Sequence, residues 1–210
     1  MKKFDLFETL PEGFRLAAEE DLPLVSLTLA QAFADYAYPI PSIKVSYSAL
    51  LKFYYEIGNT CALNAMKNGV VLTNEDFSAV LLATPYCLRA DYGVDSLYNN
   101  LKNSVGVEAA ENMIQIFGYV CEAEEKLNIS DDTIFIDMFA VQPPRQGQKL
   151  GSMLMREVFR QCEEKNKDVF LYTNTLKNNS IYNHFGFETI KTINNKELNS
   201  DTYYLLWKHK

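Results

Sequence analysis

Between Val141 and Ser152 the chain reads Val-Gln-Pro-Pro-Arg-Gln-Gly-Gln-Lys-Leu-Gly-Ser, leaving an apolar run and entering a helically spaced one within a few residues. A strand that turns so abruptly into a helix presents unpaired backbone amides and the positive end of the helix dipole, and both suit an anion. Gly147 and Gly151 stand at the turn, four apart, with no Lys-Ser or Lys-Thr after the second, so this is not a P-loop. It does not read G-x-G-x-x-G either, which argues against a dinucleotide site. The alternative is an ordinary strand-to-helix turn whose glycines serve only geometry. Just upstream, Asp137 is the one charged side chain in its strand, and period-two alternation places it on the face of Phe135, Phe139 and Val141. A carboxylate in an apolar strand is costly unless paired, so Asp137 is either functional or bound to an Arg or Lys from elsewhere. Its ordinary pKa of about 3.9 makes it a weak base unless burial raises it.

Around these residues the pattern predicts the elements that must hold them. Residues 14–17 read as a first strand, and Asp21 and Pro23 mark the start of a helix carrying Val25, Leu29 and Phe33 at helical spacing. A second helix is expected over about 47–57. Residues 70–73 and 77–84 read as neighbouring antiparallel strands joined by Asn74-Glu-Asp76. Over residues 85–132, Leu97, Leu101 and Val105, then Met113, Phe117 and Val120, predict two helical stretches or one interrupted at Gly106. The strand at 133–141 is apolar on both faces, as a central strand is. A helix through Leu150, Leu154 and Val158 and a strand at 168–173 complete a strand, helix, strand unit. A short helix at 180–185 and strands at 188–193 and 202–207 follow. Glu122, Glu124 and Glu125 read as a solvated helix face, and His184, two residues from Tyr182, as a surface or packing side chain pointing elsewhere.

Two segments carry a resemblance. Gln146-Gly147-Gln148-Lys149-Leu150-Gly151 resembles the Q/R-x-x-G-x-G/A signature of the GNAT superfamily of acetyl-CoA-dependent N-acyltransferases, preceded by that family's strand ending in Val141-x-Pro143. Asn178-Asn-Ser-Ile-Tyr182-Asn-His-Phe-Gly186-Phe187 resembles the family's N-x-x-x-Y-x-x-x-G-F segment in the same order. The resemblance implies an α/β (α+β) fold with a mixed central sheet, splayed central strands and helices on both faces. It implies that residues Gln146, Gly147, Gln148, Lys149, Leu150, Gly151 and Ser152 bind the pyrophosphate of acetyl-CoA, with Asn178 among the cofactor contacts. A backbone amide of Phe139, Ala140 or Val141 would meet the thioester carbonyl, and Tyr182 would protonate the departing sulfur; a tyrosine merely packed under the sheet is the alternative. Asp137 would lie where family members often carry a base, and Asp35, Tyr36 and Tyr38 in the segment that usually lines the acceptor pocket. Lys149 departs from the pattern, because the middle glycine is usual at its place and a side chain limits how closely backbone can approach a phosphate.

The totals bound what remains. With 210 residues, 48% hydrophobic and 22% charged, one domain spanning 1–210 is expected, with a helical insertion at about 85–132 and a cofactor-binding core at about 133–188. A net charge of −7 argues against a nucleic-acid partner. Cys61, Cys87, Cys121 and Cys162 form no C-x-x-C pair and read as reduced thiols, so no metal is expected. The N-terminus lacks an apolar core, and nowhere is there an apolar run of about 18 residues, so the expected setting is cytoplasmic, without a membrane partner. The expected reaction moves acetyl from acetyl-CoA to a primary amine of a small-molecule acceptor by direct attack in a ternary complex. The alternative is an inactive CoA-binding sensor or regulatory homologue. Oligomeric state is left open, a homodimer included.

Overall fold

The computed structural model of the chain describes residues 6–7, 9–34, 46–90, 93–195 and 200–210. Among these residues, seven strands form one mixed sheet, flanked by six α-helices. In chain order these are β1 (Phe14–Leu16), α1 (Leu22–Ala34), α2 (Tyr47–Asn68), β2 (Val70–Asn74), β3 (Ala79–Pro85), α3 (Val94–Val105) and α4 (Val107–Glu124). Then come β4 (Ile134–Val141), α5 (Leu150–Glu164), β5 (Val169–Thr173), α6 (Leu176–His184), β6 (Glu188–Asn195) and β7 (Ser200–Trp207). The strands lie in the order β1-β2-β3-β4-β5-β7-β6, and β4 with β5 is the parallel pair among antiparallel neighbours.

Each sheet face has its own core. Val71, Val80, Leu82, Met138 and Ala140 point to α1, α2, α3 and α4, whereas Leu72, Leu81, Ala83, Ile134 and Ile136 point to α5. Two-faced burial explains why β3 and β4 read as continuous apolar runs. The register of β3 against β4 runs Leu82↔Met138 and then Ala83↔Ile136, so Asp137 is an extra residue in β4. This β-bulge reverses the alternation. Phe135 stays on the face of α4 with Val120, while Phe139 and Val141 turn to the face of α5. The expectation that Asp137 shares a face with Phe139 and Val141 is therefore corrected, because strict period-two alternation does not survive an inserted residue.

β4 and β5 pair only at Ile134↔Val169 and Phe135↔Phe170. Beyond Phe135, where the bulge bends β4, the two central strands part. The remainder of β5 is held from its other side by β7, through Thr173↔Tyr203.

Helix α2 runs eleven residues past the stop predicted near residue 57, to Asn68. Gly58 gives the reason: it lies against Leu29 of α1 within the helix rather than ending it. The stop is Gly69, whose amide donates to Ala65 C=O at 2.8 Å, and a Cβ there would stand 2.0 Å from the Ala83 carbonyl oxygen of β3. The two stretches predicted over 85–132 are α3 and α4, divided at Gly106. Helix α6 starts earlier than predicted, capped by Thr175, whose hydroxyl accepts from Asn178 N–H at 3.1 Å. The acidic run is not uniformly solvated. Glu124 is 3% exposed and its carboxylate accepts from Arg89 Nε at 2.7 Å, with the guanidinium stacked over the Tyr86 ring at 3.8 Å. Burial pushes the Glu124 carboxyl up to about 7 against the pull of Arg89. Sequence cannot show this pairing, since Arg89 lies on a different segment.

Because the Gly69 Cβ has no room against backbone, Gly69→Ala is expected to destabilise the protein by about 2 kcal/mol or more in urea unfolding. An unchanged unfolding midpoint would show that the α2–β2 turn yields easily.

Candidate active site

The parting of β4 and β5 opens a cavity of ≈ 710 Å³. Its lining comes from both sides of the sheet: Phe33 of α1, Tyr54 and Cys61 of α2 and Phe117 of α4 on one face, and Gly151 of α5 and Tyr182 of α6 on the other. A cavity lined from both faces passes through the sheet, and the gap between β4 and β5 is the passage.

On the α5 side the cradle takes shape from three constraints. Lys149 sits at φ 65° and ψ 3°, the left-handed conformation that glycine adopts freely and that costs an L-residue about 1 kcal/mol. The lysine therefore occupies a glycine-like backbone without changing the turn. Gly151 serves packing, since a Cβ there would stand 2.9 Å from the Phe139 ring, so this glycine lets α5 close onto β4. Gln146 fastens the loop to the strand, its Nε2 donating to Val141 C=O at 3.1 Å. The first helical bond of α5 runs from Met153 N–H to Lys149 C=O at 3.0 Å, which leaves the first-turn amides of Leu150, Gly151 and Ser152 ahead of the ladder.

Next to these amides stands Arg145, which sequence reasoning passed over. One terminal nitrogen meets Asp76 at 3.2 Å, and its Nε is buried without a hydrogen-bond partner among the described residues. One orphaned buried donor, the helix-start amides and the cations Arg145, Lys149 and Lys177 around one cavity fit a large anionic group such as the pyrophosphate of CoA. A cation immediately before the Gln146 motif was the available signal. Gln148 does not line the cavity; it is exposed, its Nε2 reaching Pro144 C=O at 3.5 Å. Asn178 lines it from the first turn of α6.

The amides of β4 divide by ladder geometry. Gln142 N–H donates to Ser78 C=O at 2.8 Å, and alternation along the antiparallel pair then turns Ala140 N–H toward Val80. Phe139 and Val141 N–H turn the other way, toward the edge where β5 has left. Of the three candidate amides, Ala140 is thus directed into the sheet and the other two at the cavity.

Asp137 lines the cavity at the bulge, where Cys61 of α2 meets it. The thiol hydrogen-bonds the carboxylate. Burial raises the Asp137 carboxyl to about 6, and the thiol's hydrogen bond holds it from rising further. Burial, helped by the neighbouring carboxylate, drives the Cys61 thiol well above its ordinary range, so it stays protonated as a donor. Of the two readings open in the sequence, a pairing cation for Asp137 is not found among the described residues; its recorded partner is a neutral thiol. Sequence gave no sign of Cys61, which lies on another element far along the chain.

Tyr182 lines the same cavity, half-buried, its ring edge-on to Phe187 with centroids 5.8 Å apart. His184 is exposed and borders a separate shallow depression with Ser152, Arg156 and Ser180. Asp35, Tyr36 and Tyr38 lie outside the described residues. Among the described residues no cluster of His, Cys, Asp and Glu could hold a metal ion, and no helix is long and apolar enough to cross a membrane.

Comparison with known proteins places this geometry. Residues 105–189, from the end of α3 to the start of β6, match the family model described as the acetyltransferase (GNAT) domain. No curated protein matches. Among solved structures, the histone acetyltransferase HPA2 and related acetyltransferase from Corynebacterium glutamicum is 14% identical, with 94% of this chain and 96% of that chain covered and a TM-score of 0.63. Arylalkylamine N-acetyltransferase 2 from Aedes aegypti is 14% identical over 94% of this chain and 98% of its own, again with a TM-score of 0.63. The ribosomal-protein-S18-alanine N-acetyltransferase from Escherichia coli is 14% identical over 93% and 92%, with a TM-score of 0.51. Residues 105–189 are thus similar to a GNAT acetyltransferase domain, and the chain shares its fold with solved acetyltransferases.

Proposed function

We propose that the protein is an acetyl-CoA-dependent N-acetyltransferase that acts on the primary amine of a small-molecule acceptor by direct attack in a ternary complex. The observation that carries this reading is the single cavity running through the splayed sheet, with an anion cradle at one end and a basic carboxylate at the other. One seven-stranded sheet joining β1 to β7 favours a single acyltransferase domain.

The residues divide the work by position. The amides of Leu150, Gly151 and Ser152, with Arg145 and Lys149, hold the pyrophosphate, and Asn178 flanks it. Bound acetyl-CoA supplies an activated acetyl group as a thioester. Phe139 N–H and Val141 N–H face the gap in which the thioester arm lies, so a fixed amide is in place to steady negative charge on the carbonyl oxygen. Asp137 accepts the proton that an ammonium must lose before its nitrogen can attack. Its rise from 3.8 to about 6 makes it roughly a hundredfold more basic than an ordinary aspartate. As the carbon–nitrogen bond forms and the carbon–sulfur bond breaks, the Tyr182 phenol gives its proton to the thiolate, and the proton shed by the new amide nitrogen passes through solvent to restore the phenol. A phenol with an ordinary pKa of about 10 suits that task, because it is protonated at neutral pH.

Calorimetric titration with acetyl-CoA, followed by thiol release against a panel of amines, tests the reading. Saturable binding with amine-dependent release is expected. Binding without release from any amine would favour a CoA-binding sensor, and absent binding would overturn the assignment. Tyr182→Phe is expected to lower kcat by about 10²- to 10⁴-fold while acetyl-CoA affinity changes little; equal kcat would retire Tyr182 as the acid.

Asp137 makes two linked predictions. The acid limb of kcat/KM should fall near pH 6 and vanish in Asp137→Asn, and an unaltered limb would exclude Asp137 as the base. Its folded-state pKa lies above the ordinary value, so the stability that its protonated form contributes is complete below about pH 4 and lost as pH rises through about 6. Asp137→Asn, which keeps an acceptor for the Cys61 thiol, should therefore unfold at higher urea than the parent at pH 8, by on the order of 1–3 kcal/mol, with a smaller gap at pH 4.5.

A further inference from the structure

The charges in the cavity are sorted by side. Its cations, Arg145, Lys149 and Lys177, belong to the loop before α5 and to α6, on the cofactor side. On the side of α1, α2 and α4, Asp137 is the charged side chain among the described residues that line it. The walls around that carboxylate are Phe33, Phe53, Tyr54, Ile57, Met113 and Phe117. Most of them are deeply buried, Phe53 at 0% and Ile57 at 5% exposure, so this is a lined interior and not a surface patch. The aromatic members are packed on one another: Tyr54 meets Phe33 at 5.8 Å and Phe53 at 5.2 Å between centroids.

We propose that the acceptor is a monoamine whose single ammonium sits on a compact apolar or aromatic body, the ammonium at Asp137 and the body between α1, α2 and α4. The proposal rests on the acetyl-transfer reading for which half of the cavity receives the acceptor. Among the described residues on this side, one carboxylate is present for one ammonium. A second ammonium, as in a polyamine, or a ring of hydroxyls, as in an aminosugar, would be set against the apolar walls of Phe33, Phe53, Ile57, Met113 and Phe117, and that desolvation selects against it. An amino acid with a free carboxylate would set like charges against each other at Asp137. Each methylene of an acceptor that enters the walls improves the transition-state complex by about fourfold in kcat/KM, the equivalent of about 0.8 kcal/mol per buried methylene.

Burial raises the Asp137 carboxyl and the Cys61 thiol from α2 lowers it, while Asp137 in turn helps raise Glu124 of α4, itself paired to Arg89. Above pH 7 the carboxylate is ionised and ready for an ammonium, so the test is run at pH 8.

Binding of 2-phenylethylamine, 2-phenylethanol, spermidine and glucosamine to the full chain is measured by calorimetry, alone and in the presence of CoA. Thiol release is then measured with the same amines and with ethyl-, propyl- and butylamine at saturating acetyl-CoA. Saturable 2-phenylethylamine binding, at least tenfold tighter than spermidine or glucosamine, is expected, with kcat/KM climbing along the alkylamines. Asp137→Asn should weaken 2-phenylethylamine by about tenfold and leave 2-phenylethanol unchanged. Spermidine or glucosamine bound or acetylated as well as 2-phenylethylamine overturns the substrate class while acetyl transfer stands. So does absence of 2-phenylethylamine binding in both conditions. Apolar amine binding with no thiol release does the reverse: the ligand class holds and acetyl transfer fails.

Discussion

One inserted residue in β4 governs the rest. With Leu82 opposite Met138 and Ala83 opposite Ile136, Asp137 has no partner on β3, and the strand must bend to hold it. The bend falls two residues beyond Phe135, the last position at which β4 pairs with β5. From there the sheet is open through its centre, which a fully paired sheet cannot be. The same insertion reverses which side chains face which helices. It carries Phe139 under Gly151 of α5, and it leaves the carboxylate on the side of α2. Opening, helix seat and carboxylate placement are three consequences of one local geometry.

Electrostatics then divides the opened space. The cradle collects cations and unpaired helix-start amides, while the far side is apolar with one carboxylate. Neither Asp137 nor Glu124 is comfortable as an anion, since burial raises both, and the thiol of Cys61 and the guanidinium of Arg89 offset only part of that cost. A carboxylate kept basic by desolvation is destabilising to the fold, a cost that the proposed proton transfer would explain. Gln146 and Thr175 play a quieter part: each uses a side chain to close a backbone group at the lip of the opening, and so fixes the loop and α6 relative to the strands.

The turn from β4 into α5 and the elements around it were legible in the sequence because their signals are local. The strand-to-helix junction at residues 141–152, the glycines within it and the Asn178 to Phe187 segment each carry their pattern over about ten consecutive residues. Helix and strand periodicities are likewise set by near neighbours, so the order of elements follows from the chain alone, α3 and α4 on either side of Gly106 included. Even the oddity of Lys149 was visible, since lysine at the usual place of a glycine departs from a local motif; its left-handed backbone is a tertiary finding.

What only tertiary structure decided involves partners that are distant in sequence. Period-two reading put Asp137 with Phe139 and Val141, and it failed because a bulge is defined by the strand opposite, which a single strand's sequence does not contain. Glu124 read as solvated until Arg89 and Tyr86 closed on it, and Cys61 read only as a reduced thiol until α2 laid it on Asp137. Sequence fixes which groups are available and the local conformation each prefers. Burial, pairing and pKa depend on which segments are brought together, because desolvation and Coulomb interaction act through space and not along the chain.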